Sequence, residues 1–174
     1  MTKEELRALA VSKLRISSDA TVWDVGAGTG SVSVECALAA PEGRVLAVER
    51  SSADCALIRA NGERFNAMNL QVVEGLAPQV LAELPTPDCV FVGGSAGNLA
   101  AIVRAAVRAN ERARIVVAAI VVETLAEALS VFTELELSGI EIVSVTVARS
   151  RDVGGRHLMM GQNPVYLVSA GGVR

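Results

Sequence analysis

Aromatic side chains are scarce in this chain: one Trp, one Tyr and three Phe make up 3% of 174 residues. A surface that stacks nucleic-acid bases needs more rings than this. Ala, Val and Leu must fill the core instead, which suits buried parallel strands packed against helices. Cysteine is as sparse. Cys36, Cys55 and Cys89 are odd in number, widely spaced and without a C-x-x-C pair, so neither a disulfide framework nor a metal site is expected. The longest apolar run, Ile115–Val122, falls far short of the roughly 20 residues that span a bilayer. The first twenty residues are charged and helix-like rather than a signal peptide, so the expectation is a cytoplasmic protein with no membrane partner. An excess of positive charge is missing as well. The net charge of −3 is a poor match to a nucleic-acid partner, whose phosphates must be neutralised.

What is present is apolar side chain for one real core. Hydrophobic residues reach 51% against 20% charged, which excludes a disordered chain, and residues 1–174 read as a single domain. The charge is unevenly spread. Lys3, Arg7, Lys13 and Arg15 outweigh Glu4 and Glu5 at one end, and Arg149, Arg151, Arg156 and Arg174 outweigh Asp152 at the other. Residues 16–141 between them are acidic. Two basic ends around an acidic body point to a compact anionic ligand rather than a polymer.

Thr2 and Glu5 have capping-box spacing, and Leu6, Leu9, Ala10 and Leu14 recur at helical spacing, predicting an amphipathic helix over residues 1–15. Strands are predicted at Thr21–Val25, Arg44–Glu49, Leu70–Glu74, Asp88–Val92 and Arg114–Ile120. Helices alternate with them: Ser31–Ala40, one capped by Ser52 and running to about Asn66, a short one after Pro78, then Asn98–Asn110 and Glu123–Leu135. Such alternation implies a parallel, doubly wound sheet. The end breaks the rule. Ile140–Ala148 and Pro164–Ser169 have no helix between them and are expected to pair as an antiparallel hairpin over 140–169, with Arg149 to Gln162 a long loop of the kind that is either functional or disordered.

The first strand runs straight into Asp24-Val25-Gly26-Ala27-Gly28-Thr29-Gly30, and a helix follows. Glycines at alternate places let the backbone approach a ligand, and the helix start behind them offers unpaired N–H groups. Ser31 stands where a dinucleotide fingerprint needs its third glycine. Asp24, two before the first glycine, is placed to receive a ligand's ammonium group. Glu49 ends the second strand and is placed to accept both hydroxyls of a ribose.

Together the D-x-G-x-G-x-G loop, the downstream acid and the terminal hairpin resemble the class I S-adenosylmethionine-dependent methyltransferases. The resemblance implies an α/β, Rossmann-like three-layer sandwich whose mostly parallel seven-stranded sheet has the order 3-2-1-4-5-7-6, the last strand antiparallel. It also implies S-adenosylmethionine as cofactor. Longer matches narrow it: Met1–Leu9, Ser12-Lys13-Leu14, Trp23–Glu35, Val90-Phe91-Val92-Gly93-Gly94-Ser95 and Glu123-Thr124-Leu125. These resemble the precorrin-6Y C(5,15)-methyltransferase family of cobalamin biosynthesis, in its decarboxylating part: the stand-alone CbiT type or the C-terminal half of the fused CobL type. The likeness runs from Met1 to about Ser169. It implies methylation of carbon 15 of a tetrapyrrole precursor, decarboxylation of the ring C acetate, a homotetramer, and a separate carbon-5 methylase as partner.

Within that frame Asp24, Gly26, Gly28, Gly30 and Glu49 are candidate cofactor residues, with Gly75, Leu76 and Ala77 beside the adenine. The usual class I pattern there is Gly-Asp-Ala, so Leu76 removes the acid that meets the adenine amine. Gly93, Gly94 and Ser95 leave room for a broad planar ring, though a plain turn would also explain them. Arg149, Arg151 and Arg156 suit a polycarboxylate, because guanidinium forks pair with carboxylates; a solvated loop is the other reading. His157, the only histidine, serves equally as a surface side chain or as the candidate catalytic proton carrier. The reacting acetate is expected to face an apolar wall, since a cationic partner would stabilise its ground state. The N-terminal helix is either a lid or oligomer surface. A class I methyltransferase acting on tRNA or a small molecule, and a non-catalytic S-adenosylmethionine-binding regulatory subunit, remain open.

Overall fold

The structure is a computed structural model and describes residues 4–172. The Thr2 end of the expected capping box lies outside these. The first helix, α1 (Glu4–Leu14), buries Leu6, Ala10 and Leu14, spaced four apart on one stripe. Leu9 turns out of that stripe and is partly exposed. Then come β1 (Thr21–Val25), α2 (Ser31–Ala39), β2 (Arg44–Glu49), α3 (Ser52–Arg64) and β3 (Leu70–Glu74). A short 3-10 turn at Gln79–Glu83 leads to β4 (Cys89–Val92), α4 (Leu99–Ala109), β5 (Arg114–Ala119) and α5 (Val122–Glu134). Helix α3 is capped by Ser51 rather than Ser52. Ser51 has the extended backbone an N-cap needs and accepts the Asp54 N–H, while the Ser52 hydroxyl bonds Glu74.

The seven-stranded sheet has the order β3-β2-β1-β4-β5-β9-β6, with β9 (Val165–Ala170) antiparallel between β5 and β6 (Glu141–Val145). This is the class I methyltransferase topology. The central strands are Val-rich and buried on both faces, as parallel strands covered by helices must be. Alternate residues feed two cores. Trp23, Val25, Val90, Val92, Ile115 and Val117 meet Leu99, Ile102 and Val103 of α4 and Val131 and Phe132 of α5. Val22, Val45, Phe91, Val116 and Leu167 meet Ala10 and Leu14 of α1 and Val32 and Cys36 of α2. No helix among the described residues is long and apolar enough to cross a membrane.

One buried cation ties distant parts of the chain together. Arg114 opens β5, and its guanidinium donates to Lys13 O at 2.9 Å, Gly171 O at 3.0 Å and Ser169 Oγ at 2.8 Å. All three acceptors are neutral, so the fork is satisfied by hydrogen bonds rather than by an ion pair.

The expected long loop from Arg149 to Gln162 is not a loop. It forms a second antiparallel ribbon, β7 (Ala148–Val153) and β8 (Arg156–Gly161), that projects from the body with both strands fully exposed. Gly154 and Gly155, with φ of 61° and 74°, make the two-residue turn a hairpin requires. The sequence signal was a Gly-Gly pair between β-capable residues, masked by the charges around it.

Candidate functional site

The carboxyl ends of β1, β2 and β4 converge, and the backbone there is tied strand to strand. The Gly26 and Ala27 N–H groups both donate to Val48 O, at 2.9 and 3.1 Å, while Gly93 and Gly94 N–H donate to Val25 O at 2.9 and 3.3 Å. Gly26 has φ 71°, and a Cβ built on it would lie 2.2 Å from Gly94 O. Only glycine fits, on both counts. Gly28 and Gly30 continue the loop at positive φ, and Gly30 caps α2 against Ile58.

Glu49 holds this loop closed. Its Oε2 accepts the Gly28 N–H at 2.9 Å, and its Oε1 accepts Arg50 N–H at 2.8 Å and Ser51 N–H at 3.0 Å. A carboxylate has about four acceptor positions, so one remains, on Oε2. That position can accept one ribose hydroxyl, and a second would displace one of the backbone amides.

Asp24 is 1% exposed and lies behind the loop, not among the residues that wall the hollow in front of it. Its Oδ2 accepts the Ser33 hydroxyl, while Oδ1 has no hydrogen-bond partner. Burial pushes its pKa up to about 6, partly offset by the hydroxyl and backbone N–H of Ser33, and Glu49 nearby raises it further. An orphaned buried oxygen with negative charge behind a glycine loop suits a cationic ligand group beyond the loop.

Two hollows meet at this loop. The first, about 240 Å³, is walled by Glu49 at the end of β2 and Arg50 after it, Gly75, Leu76 and Ala77 after β3, Gly94 and Ser95 after β4, and Ile102 of α4. The second, about 370 Å³, lies on the loop's other side, between Gly26–Thr29, Gly93, Leu6 of α1, Ala118 and Ile120 at the end of β5, and Asn163 and Val165. Gly26 lines both, and Gly93 and Gly94 form a sill without side chains between them. The glycine loop, Glu49, Gly75-Leu76-Ala77 and Gly93-Gly94-Ser95 are thus brought together. Sequence reasoning missed Leu6, Thr29, Ile120 and Asn163. Nothing in the sequence neighbours of Asn163 marks it as facing a cavity.

The arm residues line neither hollow. Cross-strand pairing places Arg149 with Met160, Arg151 with Leu158, and Val153 with Arg156. Side chains alternate along each strand, so the three arginines share one face with Val153, Leu158 and Met160. His157 pairs with Asp152 and lies on the opposite face with Ser150 and Met159. The structure therefore groups Arg149, Arg151 and Arg156 and separates His157 from them. The arginine face turns toward the body at its root, where Arg149 Nη2 reaches both oxygens of Glu5 at 2.9 Å, one residue from Leu6 of the second hollow.

Known proteins share this architecture along its whole length. A probable cobalt-precorrin-6B C(15)-methyltransferase (decarboxylating) of Pyrobaculum calidifontis is 44% identical over 172 residues, covering 98% of this chain and 88% of that protein. The crystal structure of a precorrin-6y C5,15-methyltransferase from Geobacter metallireducens superposes with TM-score 0.92 at 38% identity, covering 98% of this chain and 90% of that one. That of a precorrin 8w decarboxylase from Methanobacterium thermoautotrophicum gives 0.91 at 32%, covering 98% and 91%. The family model described as a precorrin methyltransferase domain matches residues 1–170, and the chain belongs to that family.

Proposed function

We propose that this protein methylates carbon 15 of a precorrin-type tetrapyrrole and decarboxylates its ring C acetate, with S-adenosylmethionine as methyl donor. The observation that carries this reading is the pair of hollows joined across the Gly26, Gly93 and Gly94 backbone. One is walled by strand ends of a nucleotide-binding type, and the other is open and largely apolar, with the root of an arginine-bearing arm held by Glu5 next to its Leu6 wall. When bound, S-adenosylmethionine supplies an already activated methyl group. The chain's own work is positioning. The glycine loop and the Gly75–Ala77 turn of the first hollow hold the donor, with Glu49 fixing the loop. The sill leaves nothing between donor and acceptor to obstruct a wide, flat ring.

The second hollow has the chemistry decarboxylation needs. Leu6, Ala118, Ile120 and Val165 present an apolar wall with no cation on it. A carboxylate pressed against such a wall loses hydration without gaining a partner, which favours its departure as carbon dioxide. The electron pair of the broken C–C bond passes into the conjugated ring, and the exocyclic carbon left behind takes up one proton from solvent water to become a methyl group. Arg149, Arg151 and Arg156 grip the remaining carboxylates from the rim. His157, on the arm's other face, is given no proton-transfer role.

Around this activity we place a homotetramer in the cytoplasm, working beside a separate carbon-5 methylase. The exposed Val153, Leu158, Met159 and Met160 of the arm favour burial against other copies. Three buried cysteines, all free, suit a reducing compartment. Light scattering at micromolar concentration should give four chains; a monomer removes the assembly. The test of function is incubation with S-adenosylmethionine and the tetrapyrroles of a strain blocked at precorrin-6, read by product mass. A species that gains one methylene and loses one carbon dioxide supports both activities. Methyl gain alone discards the apolar-wall account, and no change discards the substrate.

A further inference from the structure

Among the described residues the arm carries a single ion pair, Arg149 with Glu5, while Arg151 and Arg156 pair with no acid. In that pair one nitrogen, Nη2, donates to both carboxylate oxygens, each at 2.9 Å. A guanidinium grips a carboxylate bidentately along one of two edges, Nε with Nη2 or Nη1 with Nη2. Nη2 belongs to both edges, so Glu5 blocks them together. An incoming carboxylate finds only separate N–H groups on Nε and Nη1 until Glu5 lets go.

Glu5 stands on a fixed element. Leu6 beside it is buried with Ala10 and Leu14, Arg7 Nε meets Glu35 at 3.2 Å, and Lys13 meets Glu141 at 2.6 Å, so α1 is fastened at both ends. Arg149 stands on a strand that pairs only with β8 and is exposed throughout. Of the two partners the arginine is the one able to turn away. It is also the arginine held beside the second hollow, because Leu6 on that wall directly follows Glu5. Arg151 stands about 7 Å further along the strand, and the Val153–Arg156 pair beyond it.

We propose that Glu5 is a built-in competitor for Arg149: it holds the guanidinium until a carboxylate of the bound tetrapyrrole replaces it, and takes it back as the product leaves. This rests on reading the second hollow as the tetrapyrrole site. A polycarboxylate gripped by three arginines with nothing to compete would leave slowly. An internal carboxylate lowers the affinity for substrate and product alike and leaves the reacting atoms untouched, so Glu5 acts on binding and release rather than on chemistry. The two side chains are 52% and 42% exposed, so the exchange is close to balanced and its effect is severalfold rather than larger.

Glu5→Gln keeps the size of the side chain and removes the competing charge. With the tetrapyrroles of a strain blocked at precorrin-6 as ligand, its dissociation constant should fall about fivefold, with the single-turnover rate of methyl transfer unchanged within about twofold. Product release, followed by stopped flow, should slow by a similar factor. In an Arg149→Ala background the same substitution should shift binding by less than about twofold, because the two residues act as one unit. Tighter binding that persists without Arg149 overturns the proposal. So does a Glu5→Gln protein whose affinity is unchanged or lower, whose product release is not slowed, or whose single-turnover rate falls; each leaves the reading of the hollow intact. A wild-type protein that binds none of these tetrapyrroles overturns that reading and the proposal with it.

Discussion

The glycine loop and the β-arm both depend on glycines at positive φ, and they use them in opposite ways. At Gly26 the neighbouring strand leaves no room for a side chain, and the Gly94 carbonyl lies where a Cβ would stand. At Gly154 and Gly155 nothing comes within 4 Å, and the turn alone asks for glycine. The loop is thus specified by the rest of the fold, down to single atoms. The arm is specified locally, by a turn and an alternation, and the body constrains it only at its root. Under the proposed function, rigid backbone holds the constant cofactor and exposed side chains grip the large, highly charged substrate.

This contrast can be broken most directly at its glycines. Gly26→Ala must accept both a clash and a strained φ, and is expected to cost about 3 kcal/mol or more of unfolding free energy. Gly155→Ala meets only the strain, about 1 kcal/mol. Equal losses in urea titrations would remove the distinction. Close behind comes Asp24. Burial raises its pKa from 3.8 to about 6, so between those values the folded protein holds more protons than the unfolded chain. Wild-type stability should therefore fall as pH rises through that window, with the penalty complete above it. Asp24→Asn has no such term, and its stability relative to wild type should rise by up to about 3 kcal/mol from pH 4 to pH 7 while cofactor affinity at neutral pH drops. A pH-independent difference would place the aspartate in contact with a charge partner instead.

On the arm, replacing Arg149, Arg151 and Arg156 together by Ala should weaken tetrapyrrole binding about a hundredfold, about 1 kcal/mol for each exposed ionic contact. The melting temperature should stay put. His157→Ala should change kcat and KM less than about threefold; a larger loss in kcat would show that the two faces of the ribbon work at one site. An effect between those of the triple arginine variant and His157→Ala is expected at the seam between amides and acid. Glu49→Gln turns one acceptor into a donor facing an N–H, and about a tenfold loss of cofactor affinity should follow. Unchanged affinity in calorimetry would make Glu49 a spectator.

Strand order and the glycine loop were legible in the sequence because both are written in short-range signals: Val-rich runs separated by helices, and Gly-x-Gly-x-Gly after a strand. Glu49 was found by spacing, yet its three amide bonds depend on where α3 begins, which one residue of error at Ser51 against Ser52 conceals. Asp24 was correctly singled out as an acid beside the loop, but not its burial, because no sequence feature says which side of a strand end a helix covers. The arm was hardest. Six charged or polar residues among fourteen imitate a solvated loop, and their alternation becomes visible only once Gly154-Gly155 is accepted as a two-residue turn. Asn163 and Ile120 sit at strand ends with nothing nearby to mark them, and tertiary closure alone gives them a cavity to line.

The guanidinium of Arg114 has a consequence for the order in which the molecule can be finished. Its three acceptors belong to residues 13, 169 and 171, and β9 must slide between β5 and β6 before any acceptor beyond Lys13 exists. A nascent chain on the ribosome therefore carries a buried-to-be cation with two of its acceptors not yet synthesised, and β6 with the arm has no strand to dock on until about residue 170 has left the exit tunnel. The first hollow can close early from local parts. The second, which borrows Asn163 and Val165, is completed last.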